Sequence, residues 1–236
     1  MATKTITIDE IGTVSLVKTT ASRSLRLSVN ASGKVRVSLP YWTPYAVAEA
    51  FARGHIRWIQ KELADRGTKR HYVQDQKIGK LHHVTFQKVP SESLATSRVT
   101  ATKILVKYHP NEDISSPVVQ QRAEKAIYRA LRKETEQLIP PRVLAIAKTH
   151  GFHYTSISAK QLKRRWGSCD SHHNLVFNFF IMELPWEYID YVIMHELTHT
   201  EHLHHGAAFW ERLTQICPAA LDIKRHMREY RPIIGG

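Results

Sequence analysis

His195, Glu196 and His199 fall in one short run, Tyr191-Val192-Ile193-Met194-His195-Glu196-Leu197-Thr198-His199, and His205 follows just beyond it. On a helix, residues four apart share a face one turn apart, so both imidazoles can reach a single metal ion. Glu196 lies beside them. Two histidines and a carboxylate in this H-E-x-x-H spacing suit a zinc site whose bound water gives up a proton to the glutamate. A catalytic zinc takes a third protein ligand and keeps one position open. His202, His204, His205 and Glu211 all compete for that third place. The chain has 15 histidines, so chance must be weighed against the pattern. Context favours chemistry. Pro185 marks a helix start, and Trp186–Met194 reads as a buried amphipathic helix, where polar groups without a partner would be costly.

His202 would lie about 10 Å along the helix axis from His195, too far to share one ion. The third ligand must come after the helix ends and the chain folds back. His204 and His205 both qualify, with Gly206 expected to ease the turn. Just ahead of the metal helix, Tyr154–Ser158 reads as a strand. Gln161–Cys169 and Asn174–Phe179 follow, flanking a turn at Asp170–His173. A strand edge beside a metal can align an extended peptide by main-chain pairing.

The elements that must position these groups read as α+β. Thr5–Ile8 and Thr13–Val17 alternate around a turn at Glu10-Ile11-Gly12, and Leu25–Val29 and Val35–Leu39 form a hairpin around Asn30–Gly33. Thr43-Pro44 opens one helix, 44–65, with Val47, Ala50, Phe51, Trp58 and Ile59 as its apolar stripe and Gly54 as a weak point. Strands return at Val84–Val89 and Arg98–Tyr108. His71, His82, His83 and His109 have no ligand spacing and read as surface or structural. A helix from Pro117 to about Leu138 should break at Pro140-Pro141, with a second running to Thr149 and stopping at Gly151. The domain boundary is expected near Asn111, giving a β-rich region over 1–111 and a catalytic region over 112–236. Asp222, Lys224, Arg225 and Arg228 read as a last, solvated helix.

With 34 basic and 21 acidic side chains the net charge is +13, which favours acidic partners and makes weak electrostatic contact with nucleic acid an expectation. No apolar run approaches a membrane span, and the N-terminus lacks a signal-peptide core. Cys169 and Cys217 make no disulfide framework, so a reducing cytoplasm is expected.

Taken together, Arg165-Trp166-Gly167-Ser168-Cys169, Asn178, Pro185, Asp190-Tyr191-Val192, His195-Glu196-Leu197-x-His199, His205, Phe209-Trp210 and Cys217-Pro218 resemble the YgjP-like metallopeptidase family, related to the SprT-like zincins. The hairpin around Gly33, Pro40 and the helix ending in Trp58-Ile59 fit as well, so the resemblance covers nearly the whole chain. The extra histidines His202 and His204 depart from the pattern, as does the lack of Asn before the third histidine. The resemblance implies a zincin-like fold and zinc-dependent hydrolysis of peptide bonds, and it selects His205 as third ligand. The expected site is then zinc on His195, His199 and His205, with Glu196 as general base and a peptide or protein as substrate. Arg164, Arg165 and Tyr191 are unranked candidates for stabilising the oxyanion. Two other readings keep the metal: hydrolysis of a nucleotide phosphoanhydride, against which stands the lack of a Gly-rich phosphate loop, and a nucleic-acid-associated protein with a structural zinc.

Overall fold

The computed structural model describes residues 2–30, 33–67, 70–163, 165–227 and 230. It forms two compact units, Met1–His71 and Tyr72–Ile234. Helices and sheets are mixed, as the α+β reading expects.

The first unit holds β1 (Thr3–Ile8), β2 (Gly12–Thr19), β3 (Arg26–Val29) and β4 (Val35–Pro40), followed by α1 (Tyr45–Gly54) and α2 (Ile56–Gly67). The strand order is β1-β2-β4-β3, with β2 and β4 parallel and the other pairs antiparallel. Alternation in sequence becomes one buried face, Val14, Leu16, Val35, Val37 and Leu39, packed against Ala48, Ala52 and Ile59. The single helix expected over 44–65 is two. Gly54, a poor helix former, ends the first, and His55 leaves helical geometry at φ −115° while its ring Nδ1 lies 2.8 Å from the Phe51 carbonyl oxygen. The apolar stripe is also displaced. Small Ala48 and Ala52 are buried, whereas Val47 and Trp58 are exposed.

The second unit opens with β5 (Lys77–Ile78), β6 (His82–Lys88), β7 (Ser97–Val99) and β8 (Lys103–Tyr108), in the order β5-β6-β8-β7. The observed division, after His71, precedes the one expected at Asn111. The reason is burial. Val84, Phe86, Ile104 and Val106 share one core with Val119, Ala123, Ile127 and Leu131 of the following helix.

That helix, α3 (Pro117–His150), runs unbroken through Pro140 and Pro141. Its buried face, Leu131, Ile139, Val143 and Ala147, keeps helical period across the prolines, and packing outweighs the lost hydrogen bonds. The carbonyls left without N–H partners belong to Glu136 and Gln137, both on the exposed face. Gly151, at φ +76°, ends the helix in the left-handed conformation that glycine adopts without strain. Next come β9 (Ser156–Lys160), β10 (Gly167–Cys169) and β11 (Asn174–Asn178), ordered β10-β11-β9, so that β10 is an edge. A 3-10 turn, Phe179–Glu183, leads to α4 (Trp186–Thr198), α5 (Ala207–Ile216) and α6 (Ala220–His226). Among the described residues no helix is long and apolar enough to cross a membrane.

Candidate metal centre

α4 carries His195 and Glu196 in its last turn, and His199 follows as its C-cap, still in right-handed helical geometry. The chain then turns away, with the His202 N–H bonded to the Thr198 carbonyl at 2.9 Å. It returns through His205 into α5. The ligand atoms of His195, His199 and His205 all lie within 4.8 Å of one another. Among the described residues no other group of three potential ligands converges this way. His202 contributes its carbonyl, 3.1 Å from His199 Nδ1, which orients that ring. His204 and Glu211 are exposed and stand outside the cluster. Gly206, at φ −77°, uses a conformation open to any residue, so the turn does not depend on glycine.

The three rings rest on the fully buried Phe209, whose centroid lies 5.0, 4.6 and 4.7 Å from His195, His199 and His205. Burial and mutual repulsion among the imidazoles push His195 down to about 3, with smaller downward shifts at His199 and His205, again led by burial. Neutral rings present lone pairs, as metal ligation requires. His195 Nε2 and His205 Nε2 face each other at 3.1 Å. Two nitrogens bound at about 2.0–2.1 Å to a tetrahedral ion lie about 3.3 Å apart, so this spacing fits a shared ion. His195 Nδ1 is buried without a hydrogen-bond partner. Such an orphan costs about 1–3 kcal/mol, which a strong bond at Nε2 offsets. The donor set therefore fits a metal ion.

Glu196 is 6% exposed. Burial lifts its carboxyl to about 8, against the opposing pull of the Arg165 charge and of a hydrogen bond from the Cys169 backbone. Its space exists because position 167 has no side chain. A Cβ on Gly167 would sit 2.7 Å from Glu196 Cγ and 2.8 Å from Oε1. Sequence reasoning quoted Gly167 only as part of a motif and missed this steric role, because the contact links elements 29 residues apart in the chain. The edge strand takes part as well. Gly167 and Cys169 pair with Phe177 and Leu175, and the flanking bonds, Asn178 N–H to Trp166 and Asp170 N–H to Asn174, alternate with them. The main-chain groups of Gly167 and Cys169 therefore face away from β11.

Other candidates take structural places. Asn178 is fully buried. Its amide donates to the Leu162 and Arg165 carbonyls at 2.8 and 2.9 Å, and its oxygen caps the 3-10 turn through the Phe180 N–H. Burial holds the Tyr191 hydroxyl up at about 12 and the Cys169 thiol at about 11, so both stay protonated near neutrality. Arg165 is exposed, and Arg164 and Arg228 lie outside the described residues. Lys224 is not simply solvated: its Nζ lies 3.9 Å over the Trp210 ring, and Trp210 stacks on His205 at 5.9 Å and 29°.

A buried carboxylate next to converging neutral imidazoles is the equipment of a metal-dependent hydrolase. The YgjP-like metallopeptidase domain matches residues 23–230, and the chain belongs to this family of metallopeptidases. It is similar to the crystal structure of the metallopeptidase zymogen of Pyrococcus abyssi abylysin, at 19% identity over 41% of this chain and 100% of that one, with a TM-score of 0.37. It is also similar to the zymogen of Methanocaldococcus jannaschii jannalysin, at 22% identity over 39% of this chain and 94% of that one, with a TM-score of 0.35. No curated protein matches the chain.

Proposed function

We propose that this chain is a zinc metallopeptidase of zincin-like design, with His195, His199 and His205 as ligands and Glu196 as general base. The observation that carries this reading is the convergence of three neutral imidazoles from α4 and the following loop, with a buried carboxylate between the first two in sequence. All three ligands are nitrogen donors, a set that suits zinc. When bound, zinc would supply a Lewis acid that polarises the scissile carbonyl and acidifies water. Glu196 accepts the proton on its carboxylate and returns it to the leaving amine nitrogen. The Arg165 charge and the hydrogen bond from the Cys169 backbone oppose the effect of burial and favour the carboxylate form that the first half of that transfer requires. An extended substrate pairs with the outward main-chain groups of Gly167 on β10, the Cys169 N–H being held by Glu196, and Phe209 keeps water from beneath the imidazoles. The intact Glu196 disfavours a purely structural zinc, which would need no base.

Glu196→Gln keeps shape and loses the base. Hydrolysis of a peptide library should fall by about 100-fold or more while zinc, measured by elemental analysis, stays near one per chain. Full activity in this variant would sink the mechanism, and loss of zinc would make Glu196 a ligand instead.

The first unit supports a second, separate role in weak nucleic-acid contact. Residues 1–71 carry 12 basic and 5 acidic side chains, +7 of the total +13. Tyr41 and Trp42 are 61% and 71% exposed, and Lys18 lies 5.6 Å from the Tyr41 ring centroid and 4.9 Å from that of Tyr45. Cations beside open aromatic faces suit single strands.

A further inference from the structure

We propose that Lys224 is a substrate-binding residue that gives this site a preference for a carboxylate close to the scissile bond. The inference rests on the zinc peptidase reading and adds the charge of its substrate.

The geometry places one ammonium group at the rim of the imidazole cluster. Ile223 and Ala220 bury one side of α6 in the core, which fixes the helix and leaves Lys224 on its exposed side. The Lys224 ammonium sits on the Trp210 ring, and Trp210 packs against both His205 and His195, with centroids 5.9 and 6.4 Å apart. A ring so held restricts a long side chain that would otherwise sample many rotamers. Its charge is felt at the site, since Lys224 contributes to the lowered basicity of both His195 and His205.

That charge is unbalanced. The neighbouring acid on α6, Asp222, faces Arg225 at 3.6 Å, and among the described residues no carboxylate pairs with Lys224. Three neutral imidazoles add nothing to offset a divalent ion. Arg165 adds a further positive charge near Glu196, the one acid in the centre. A loaded site is therefore strongly positive. An ammonium this close repels the metal and weakens its binding, a cost set against the cation–π contact that holds it on Trp210. A substrate anion offsets the cost. A carboxylate is the group that peptides supply, either at the chain terminus or on an Asp or Glu side chain.

Three peptide hydroxamates of one length separate these sources, because hydroxamate grips zinc without being cleaved. One is neutral, with Asn and an amidated end; one has Asp in place of Asn; one keeps Asn and has a free terminal carboxylate. Calorimetry on the zinc-loaded protein should show at least one charged probe bound about 10-fold tighter than the neutral one, and which one identifies the source. The ratio should fall to near one in Lys224→Met and recover in Lys224→Arg. Lys224→Met should also hold zinc about 3-fold more tightly or better, as removal of a nearby like charge requires. Equal ratios in wild type and Lys224→Met, or no preference in wild type, would overturn the proposal. Displacement of the neutral probe by a nucleoside triphosphate, dependent on Lys224 and without preference among the peptides, would overturn it in favour of phosphate. A wild-type protein that holds no zinc removes the peptidase reading and this one together. Zinc binding with a flat ratio removes this one alone.

Discussion

The β1–β4 and β5–β8 sheets run their strands in the same spatial order, each with two antiparallel edge pairs around one parallel central pair. Each turns from its first strand to its second through a glycine in the left-handed region, Gly12 at φ +73° and Gly79 at φ +59°. What surrounds those turns differs. Around Gly12 nothing lies within 4 Å of where a Cβ would stand, and the turn is closed by one main-chain bond, Ile11 N–H to Ile8 at 3.0 Å. Around Gly79 the fully buried Glu134 of α3 collects the N–H groups of Lys80, Leu81 and His82 at 2.6, 2.9 and 3.2 Å, with the His82 ring Nδ1 at 2.5 Å. The other ring nitrogen of His82 faces the Thr100 carbonyl at 3.1 Å. In the first unit this topology has a first turn that, among the described residues, no buried carboxylate holds, with only the Gln60 amide reaching the Glu10 carbonyl at 3.4 Å. In the second it is clasped to the helix that shares the core of the metal centre. Topology alone does not set how firmly a sheet is held; one carboxylate in the right place does.

Breaking the clasp should have the largest effect. Glu134→Ala leaves three buried N–H groups and His82 without their acceptor. It should cost about 3–5 kcal/mol in denaturant unfolding, with peptidase activity lost alongside as the second unit loosens. A cost below about 1 kcal/mol would mean that water replaces the carboxylate and that the two sheets are alike after all. The glycines sharpen the contrast. Gly79→Ala combines a strained backbone with a Cβ that would sit 2.3 Å from Glu134 Oε2, and should cost about 2–4 kcal/mol. Gly12→Ala meets only the backbone strain and should cost about 1 kcal/mol. Equal losses would show that conformation, not space, governs both turns. The smallest effect belongs to the first unit's surface. Single-stranded nucleic acid should bind weakly, with affinity falling steeply as salt rises, and Lys18→Glu with Trp42→Ala should weaken it further without altering zinc content. Binding that resists salt would contradict an electrostatic contact.

The sequence made local order legible and left long-range order hidden. Alternation announced β1 to β4, and four-residue spacing put His195 and His199 side by side, because both signals repeat within a few residues. Pro140 and Pro141 were misleading because their cost is local, whereas the apolar stripe that overrides it is spread over the whole of α3. The boundary expected at Asn111 followed polar composition, while the observed division follows a core shared between β-strands and a helix that composition does not reveal. Glu134 meets its partners across 52 to 54 residues, and Lys224 meets Trp210 across a turn between two short helices. Neither contact leaves a periodic trace. Gly167 stood in view within a quoted motif, yet its reason could be read only once Glu196 was in place beside it.

That last contact ties the fates of two positions during divergence. A chain that keeps both helix histidines and the glutamate but carries a larger residue where Gly167 stands would have the proposed base displaced by steric overlap alone. Such a relative would be expected to bind metal as an inert pseudoenzyme, and the loss could be recognised from a single letter far from the histidines.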